Sequence, residues 1–289
     1  MRIQRVAVVG AGTMGRGIAQ VAAAAGYSVL LNDVSPEAVA AGLEKIRATL
    51  DKGVRLGKVT EEAREGTLSH LGGAPRLDAA VGDADLVIEA IPERSDLKAA
   101  LFSQVAAAAP PQALLATNTS SLSVADLAVT VPDPSRFLGL HFFNPVHIML
   151  LVEVVHGPST SPDTLAAGLA FARSLGKEPI SVKDSPGFAS SRLGVIMGLE
   201  AMRMVEEGVA SAADIDKAME VGYRHPMGPL RLTDLVGLDV RLGIAEHLHL
   251  TLGAERFRPP AILRRMVAEG KLGKKSGVGF YDWPEVVKP

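Results

Sequence analysis

Apolar runs of strand length alternate with helix-like stretches over the first two thirds of the chain. Val6-Ala7-Val8-Val9 is a continuous apolar run closed by Gly10, the pattern of a strand buried on both faces. Residues 15–25 are Ala-rich and predict a helix stopped by Gly26, and 28–32 predict a second strand. Ser35-Pro36-Glu37 reads as a helix start, with a capping hydroxyl, a proline suited to the first turn and an acid at the positive end of the dipole. That helix is expected to reach about Leu50. The polar stretch 51–66 is expected to fold as a helical hairpin, an insertion near 42–71. Further strands are predicted at 85–90, 113–117, 137–141, 150–155 and 179–182, with a helix at 97–108. Strand, helix and strand at this spacing predict an α/β fold with a doubly wound sheet. The pattern changes at Asp184-Ser185-Pro186-Gly187. Beyond it only helices are predicted, at 188–207, 212–221, 238–251 and 260–269. The expected organisation is therefore a sheet domain at 1–184 and an all-helical domain at 185–289.

Composition narrows the function classes. Hydrophobic residues make up 47% and charged residues 21%, so the chain can bury a core and wholesale disorder is excluded. Thirty Lys+Arg against thirty-two Asp+Glu disfavour a general nucleic-acid binder and leave room only for a local basic patch toward a phosphorylated ligand. With no cysteine, disulfides, thiolate metal sites and a Cys nucleophile are excluded. The chain enters its first strand without the apolar core of a secretory signal. Its longest apolar stretch, 18–31, is broken by Gln20 and Gly26 and is too short to span a bilayer. A cytoplasmic protein with no membrane partner and no metal site is expected.

The first candidate chemistry lies at Gly10-Ala11-Gly12-Thr13-Met14-Gly15, between the first strand and the first helix. Gly10 permits a tight turn, Gly12 leaves room for a pyrophosphate, and Gly15 lets helix and strand pack closely. Thr13 and Met14 complete a loop that delivers helix amides to phosphates. Asp33 ends the next strand, where a carboxylate accepts from both ribose hydroxyls and repels an extra phosphate. The set points to NAD as cofactor; the plainer alternative is that Asp33 caps its own turn.

The second lies in LGLHFFNPV and LLVEVV. Glu153 sits in an apolar run and is costly to bury without a partner, which His141 on a neighbouring strand would supply. A carboxylate so placed fixes the imidazole tautomer and stabilises its protonated form. The other ring nitrogen is then available to take a proton from an alcohol as hydride leaves. An ordinary core histidine is the competing reading. Thr117-Asn118-Thr119-Ser120-Ser121 ends the fourth strand, where open α/β sheets bind ligands, and reads equally as a polar turn.

These fragments together resemble the L-3-hydroxyacyl-CoA dehydrogenase family. The likeness runs through VAVVGAGTMGRGIA, LVIEAIPE, TNTSSLSV, LGLHFFNPV with LVEVV, DSPGF, HPMGPLRLTDLVGLDV and KKSGVGFYDW. The resemblance implies a Rossmann-type domain, an all-helical domain that dimerises, and NAD-dependent interconversion of (3S)-3-hydroxyacyl-CoA and 3-ketoacyl-CoA in fatty acid metabolism. It implies that His141 is the acid/base, Glu153 orients it, and Ser120 binds the substrate 3-oxygen. Asp33, Glu93, Lys98 and Asn118 would lie along the cofactor, and Lys52, Arg55 and Lys58 would meet the CoA phosphates. The chain departs from the family pattern at Ser191, where an Asn that holds substrate is common. It also departs at His147, where Pro or a small residue is frequent, and at Leu150, where Lys is frequent. A sugar-acid dehydrogenase of the L-gulonate type and a catalytically silent NAD-binding protein are the alternatives on the same scaffold.

Overall fold

The structure is a computed structural model and describes residues 2–284. Two compact units are formed, Met1–Ser185 and Pro186–Pro289. The first contains β1 (Arg5–Val9), α1 (Thr13–Ala24), β2 (Ser28–Asn32), α2 (Pro36–Arg55), α3 (Glu61–Ser69), β3 (Leu71–Gly73), α4 (Leu77–Val81), β4 (Leu86–Glu89), α5 (Ser95–Ala108), β5 (Leu114–Thr117), α6 (Val124–Ala128), β6 (Phe137–Phe142), β7 (Leu151–His156), α7 (Pro162–Ser174) and β8 (Glu178–Lys183).

The eight strands form one sheet in the order β3-β2-β1-β4-β5-β6-β7-β8. Pairing is parallel from β3 to β6. β7 runs antiparallel to β6, and β8 is parallel to β7. The reversal has a simple cause: residues 143–150 are too few for the dozen-residue crossover that a parallel partner requires. From β1 the chain winds outward through β2 and β3, then resumes on the other side with β4, β5 and β6. That change of direction opens a crevice at the carboxyl ends of β1 and β4. Val8, Ile18, Leu31, Ile88 and Leu140 belong to the core beneath it.

Ser35 caps α2 by accepting from the Ala38 amide at 3.2 Å. The helix does not break near Leu50. Ile46 and Leu50 are both buried on one face, and α2 runs on to Arg55, so the first arm of the expected hairpin is the end of α2 itself. Thr60 caps the second arm, α3, accepting from Ala63 N at 3.1 Å.

The second unit contains α8 (Ser190–Glu206), α9 (Ala212–Lys217), α10 (Pro229–Val236), α11 (Leu238–Leu252) and α12 (Ala261–Ala268) around Leu199, Met202, Leu230, Leu238, Leu248 and Leu263. α10 was not among the predicted helices. Past α12 the chain is not purely helical: bridges join Gly273 to Val278 and Val278 to Asp282. The buried Asp234 carboxylate shapes this ending, accepting from Phe280 N, Tyr281 N and Trp283 Nε1, each at 2.9 Å. Among the described residues no helix is long and apolar enough to cross a membrane.

Candidate active site

The glycine loop sits at the crevice. Gly10 has φ +110°, and a Cβ there would stand 2.5 Å from the Ala90 carbonyl oxygen on the neighbouring connection. A Cβ at Gly15 would stand 1.7 Å from the Gly10 carbonyl oxygen, so α1 and the loop touch backbone to backbone. At Gly12 a Cβ would meet nothing within 4 Å: the space in front of it is open. Gly12 also starts α1 with no side-chain cap, and Thr13 and Met14 form the first turn. The Asp33 carboxylate is fixed beside the loop by the Ala11 amide at 2.5 Å and the Val34 amide at 2.7 Å. Each oxygen keeps a lone pair for a hydroxyl donor. An uncapped helix start, an open approach and a pinned anion fit an adenine dinucleotide with an unmodified ribose.

His141 and Glu153 are register partners on β6 and β7. Side chains directly opposite on an antiparallel pair share a face, and here Nδ1–H donates to Glu153 Oε2 at 2.7 Å. Glu153 is fully buried and His141 nearly so. The Phe143 ring lies 4.4 Å from the imidazole, tilted by 45°. His141 also lines a pocket of about 370 Å³ with Met14, Glu93, Asn118, Ser120 and Asn144. The pocket therefore brings together residues from the glycine loop, the turn after β5 and the β6 end.

Glu93 organises the 119–121 turn. Its Oε1 accepts from Thr119 Oγ1 at 2.6 Å, Ser120 N at 2.8 Å, Ser121 N at 3.1 Å, and the Ser120 and Ser121 hydroxyls at 3.2 Å. Burial pushes the Glu93 carboxyl up, but the Lys98 ammonium at 3.3 Å and these donors outweigh it and hold it below the usual carboxylate range. Asn118 Oδ1 accepts from the Phe142 amide at 2.9 Å and ties the end of β5 to the end of β6.

Lys98 is almost entirely buried, and its ammonium is engaged from below the turn, by Glu89 Oε1 at 2.5 Å, Glu93 and the Ile91 carbonyl. Glu89 in turn accepts from Thr117 Oγ1 and Ile91 N, both at 2.7 Å. Sequence reasoning missed Glu89, although the signal that singled out Glu153, an acid inside an apolar strand, is equally present in DLVIEA. Removing one partner of such a buried pair leaves an uncompensated charge. Lys98→Met is accordingly expected to lower unfolding stability by about 3–5 kcal/mol, read by urea denaturation. A change of less than about 1 kcal/mol would show that the network is not what holds the turn.

The three hairpin cations are divided. Lys52 and Arg55 are exposed in the last turn of α2. Lys58 lines a separate cavity of about 800 Å³ with His70, His147 and Lys177. Burial, with the Lys177 and Lys58 charges, holds the His147 imidazole below its ordinary range. Lys177 donates to the Val146 and Met149 carbonyls at 2.5 and 2.8 Å and so holds the turn that carries His147. Nothing in the structure explains Leu150, which is 53% exposed. Ser191 lies half-buried in the first turn of α8, in the second unit.

Residues 5–185 match the family profile described as 3-hydroxyacyl-CoA dehydrogenase, NAD binding domain, and residues 187–283 match 3-hydroxyacyl-CoA dehydrogenase, C-terminal domain. The chain is 45% identical over 285 residues to the probable 3-hydroxybutyryl-CoA dehydrogenase of Bacillus subtilis, covering 99% of both. It is 42% identical to the 3-hydroxybutyryl-CoA dehydrogenase of Bradyrhizobium diazoefficiens, covering 97% of this chain and 96% of the relative. Among solved structures, (S)-3-hydroxybutyryl-CoA dehydrogenase PaaH1 from Ralstonia eutropha superposes with a TM-score of 0.94 at 41% identity, covering 98% of this chain and 99% of that one.

Proposed function

The chain belongs to the 3-hydroxyacyl-CoA dehydrogenase family and is an NAD-dependent oxidoreductase, and from that premise we propose how its residues carry the reaction and which substrates they take. The substrate is a 3-hydroxyacyl-CoA with a short acyl chain, as in 3-hydroxybutyryl-CoA, oxidised to the 3-ketoacyl-CoA. The observation that carries this reading is the 2.7 Å hydrogen bond between His141 Nδ1 and Glu153, facing one pocket with Ser120 and the start of α1.

Bound NAD supplies the hydride acceptor in one direction and, as NADH, the donor in the other. The protein supplies proton transfer and placement. With Nδ1 held by Glu153, proton exchange falls to Nε2, which takes the 3-hydroxyl proton as the C3–H bond gives up its electron pair. Glu153 stabilises the imidazolium so formed, and the reverse reaction returns the proton from the same nitrogen to the 3-oxygen. The Ser120 hydroxyl now donates to Glu93; rotation about its C–O bond turns that proton toward the 3-oxygen. Asp33 receives the adenine ribose hydroxyls. Glu93 and Lys98 act beneath the cofactor edge by fixing the 119–121 turn. Lys52 and Arg55, exposed in the last turn of α2, and Lys58, on the rim of the larger cavity, are assigned to the CoA phosphates. We assign the protein to the cytoplasm and to a homodimer formed through the second unit, serving fatty acid oxidation.

Initial rates test this reading. Acetoacetyl-CoA is expected to be reduced with NADH, and NADPH to be at least about tenfold poorer in kcat/KM because its extra phosphate meets Asp33. L-Gulonate is expected to support little NAD reduction. Brisk turnover of L-gulonate with none of acetoacetyl-CoA would overturn the substrate class. Equilibrium sedimentation at the mass of a monomer would overturn the dimer.

A further inference from the structure

Three cavities of the first unit follow one another along α1. The pocket of about 370 Å³ that holds His141 and Ser120 takes in Met14, at the start of the helix. A cleft of about 110 Å³, lined by Arg16, Gln20, Lys45 and Thr49, shares Asn144 with that pocket. The cleft in turn shares Gln20 and His147 with the cavity of about 800 Å³, which continues past the end of α1 to Gly26. From Met14 to Ala24 the helix rises about 15 Å. The arm of coenzyme A between sulfur and phosphate matches about four extended residues of backbone, roughly 14 Å. An arm that follows α1 from the His141 pocket therefore delivers its phosphates to the larger cavity.

The charge of this route changes along it. Glu93 lines the first pocket, whereas no acid lines the cleft or the larger cavity. Facing that space are Arg16 of α1, Lys45 of α2, Lys58 between α2 and α3, His70 just past α3, His147 between β6 and β7, and Lys177 just before β8. A concave surface of one sign concentrates anions. His147 stands where the cleft meets the larger cavity, and the connection that carries it is fixed from two sides. A Cβ at Gly17 would stand 2.7 Å from the Val146 Cβ, so α1 packs directly on this connection. Lys177 ties it from beneath, donating to the Val146 and Met149 carbonyls. Partial burial and the Lys177 and Lys58 charges hold the imidazole below its ordinary range, so it is largely neutral at pH 7.5 in the free enzyme.

We propose that His147 is a phosphate-binding residue: together with Lys58 it receives a phosphate of the substrate's coenzyme A group in the larger cavity, and it gains a proton as it does so. This rests on the functional reading above and adds a residue that the family pattern, with Pro or a small side chain at this position, does not supply. A phosphate beside the ring favours the imidazolium, which donates a charge-assisted hydrogen bond to it. Affinity is therefore greatest below the pKa of the free imidazole and is lost as pH rises through the raised pKa of the complex.

Calorimetric titration with free coenzyme A at pH 7.5, in two buffers of different ionisation heat, reads the proton directly. Uptake of a large part of one proton is expected for the wild type, and a clearly smaller uptake for His147→Gln. In initial rates with NADH, the wild-type KM for acetoacetyl-CoA is expected to rise by about fivefold or more between pH 6 and pH 8, and His147→Gln to flatten that rise. S-Acetoacetylpantetheine, which carries no phosphate, isolates the cause. At pH 6 the ratio of its KM to that of acetoacetyl-CoA is expected to fall by about fivefold in His147→Gln and in Lys58→Gln. Equal proton uptake in wild type and His147→Gln, or an unchanged KM ratio in either variant, overturns the proposal, while acetoacetyl-CoA turnover leaves the functional reading standing. Turnover of neither thioester by the wild type overturns both.

Discussion

His141→Ala is expected to lower kcat by about 10²–10⁴-fold, the usual worth of a positioned acid/base, with the affinity for NADH near that of the wild type. The separation follows from geometry. The imidazole lies on β6, whereas the residues proposed to hold the cofactor are the glycine loop and Asp33, just past β2. Glu153→Gln keeps the side-chain volume but removes the charge, and its amide can present N–H to Nδ1 and select the wrong tautomer. A loss of about 10²-fold or more is expected, since an orienting carboxylate exchanged for an amide can cost as much as about 10⁴ in an analogous triad. The double variant should be scarcely worse than His141→Ala alone, because Glu153 acts through the ring. Stopped-flow hydride transfer, fluorescence titration of NADH and circular dichroism separate chemistry, binding and folding. Full turnover in folded His141→Ala would remove the imidazole from the mechanism, and additive losses in the double variant would show that Glu153 works independently of it.

Gly15→Ala is expected to abolish measurable NADH binding or to prevent folding. The added methyl would overlap the Gly10 carbonyl oxygen at 1.7 Å. Both groups are tied to backbone: Gly10 N donates to Asn32 O at 2.8 Å, and Gly15 is buried in α1. Neither can move without separating α1 from β1, so the overlap cannot be relieved by a side-chain rotation, and overpacking that only shifts side chains, at about 1–3 kcal/mol, is a lower bound. Gly12→Ala is the control, because a methyl there meets no protein atom within 4 Å. It should fold normally and weaken NADH binding only by crowding the pyrophosphate. Thermal denaturation with and without NADH distinguishes the two. If Gly15→Ala folds and binds NADH like the wild type, the tight helix-to-loop contact is not required.

How much was legible in the sequence depended on the range of the signal. The strands at β1, β2, β4 and β5 announced themselves as short, mainly apolar runs, and the starts of α2 and α8 by local punctuation. α7 carries the same Ser-Pro start as α2, Ser161 capping Thr164 N at 3.1 Å, and is not among the elements expected from the sequence. β3 holds only three residues, two of them glycine, and has no period to read. α10 hid behind Gly-Pro, which marks a turn as readily as a first helical residue.

The linear sequence was enough to choose the α/β class, the dinucleotide loop and the need of Glu153 for a partner, because each follows from neighbours along the chain: an apolar run, glycines at fixed spacing, an acid among valines. The tertiary structure alone decided the register that sets His141 directly across from its expected partner Glu153, that Glu89 and Lys98 lie beneath the Glu93 turn, and that Arg241 is buried beside Gly194. Those relations join residues distant in sequence through strand register and helix packing, and no local pattern encodes which side chains will face each other once the sheet and the bundle have closed.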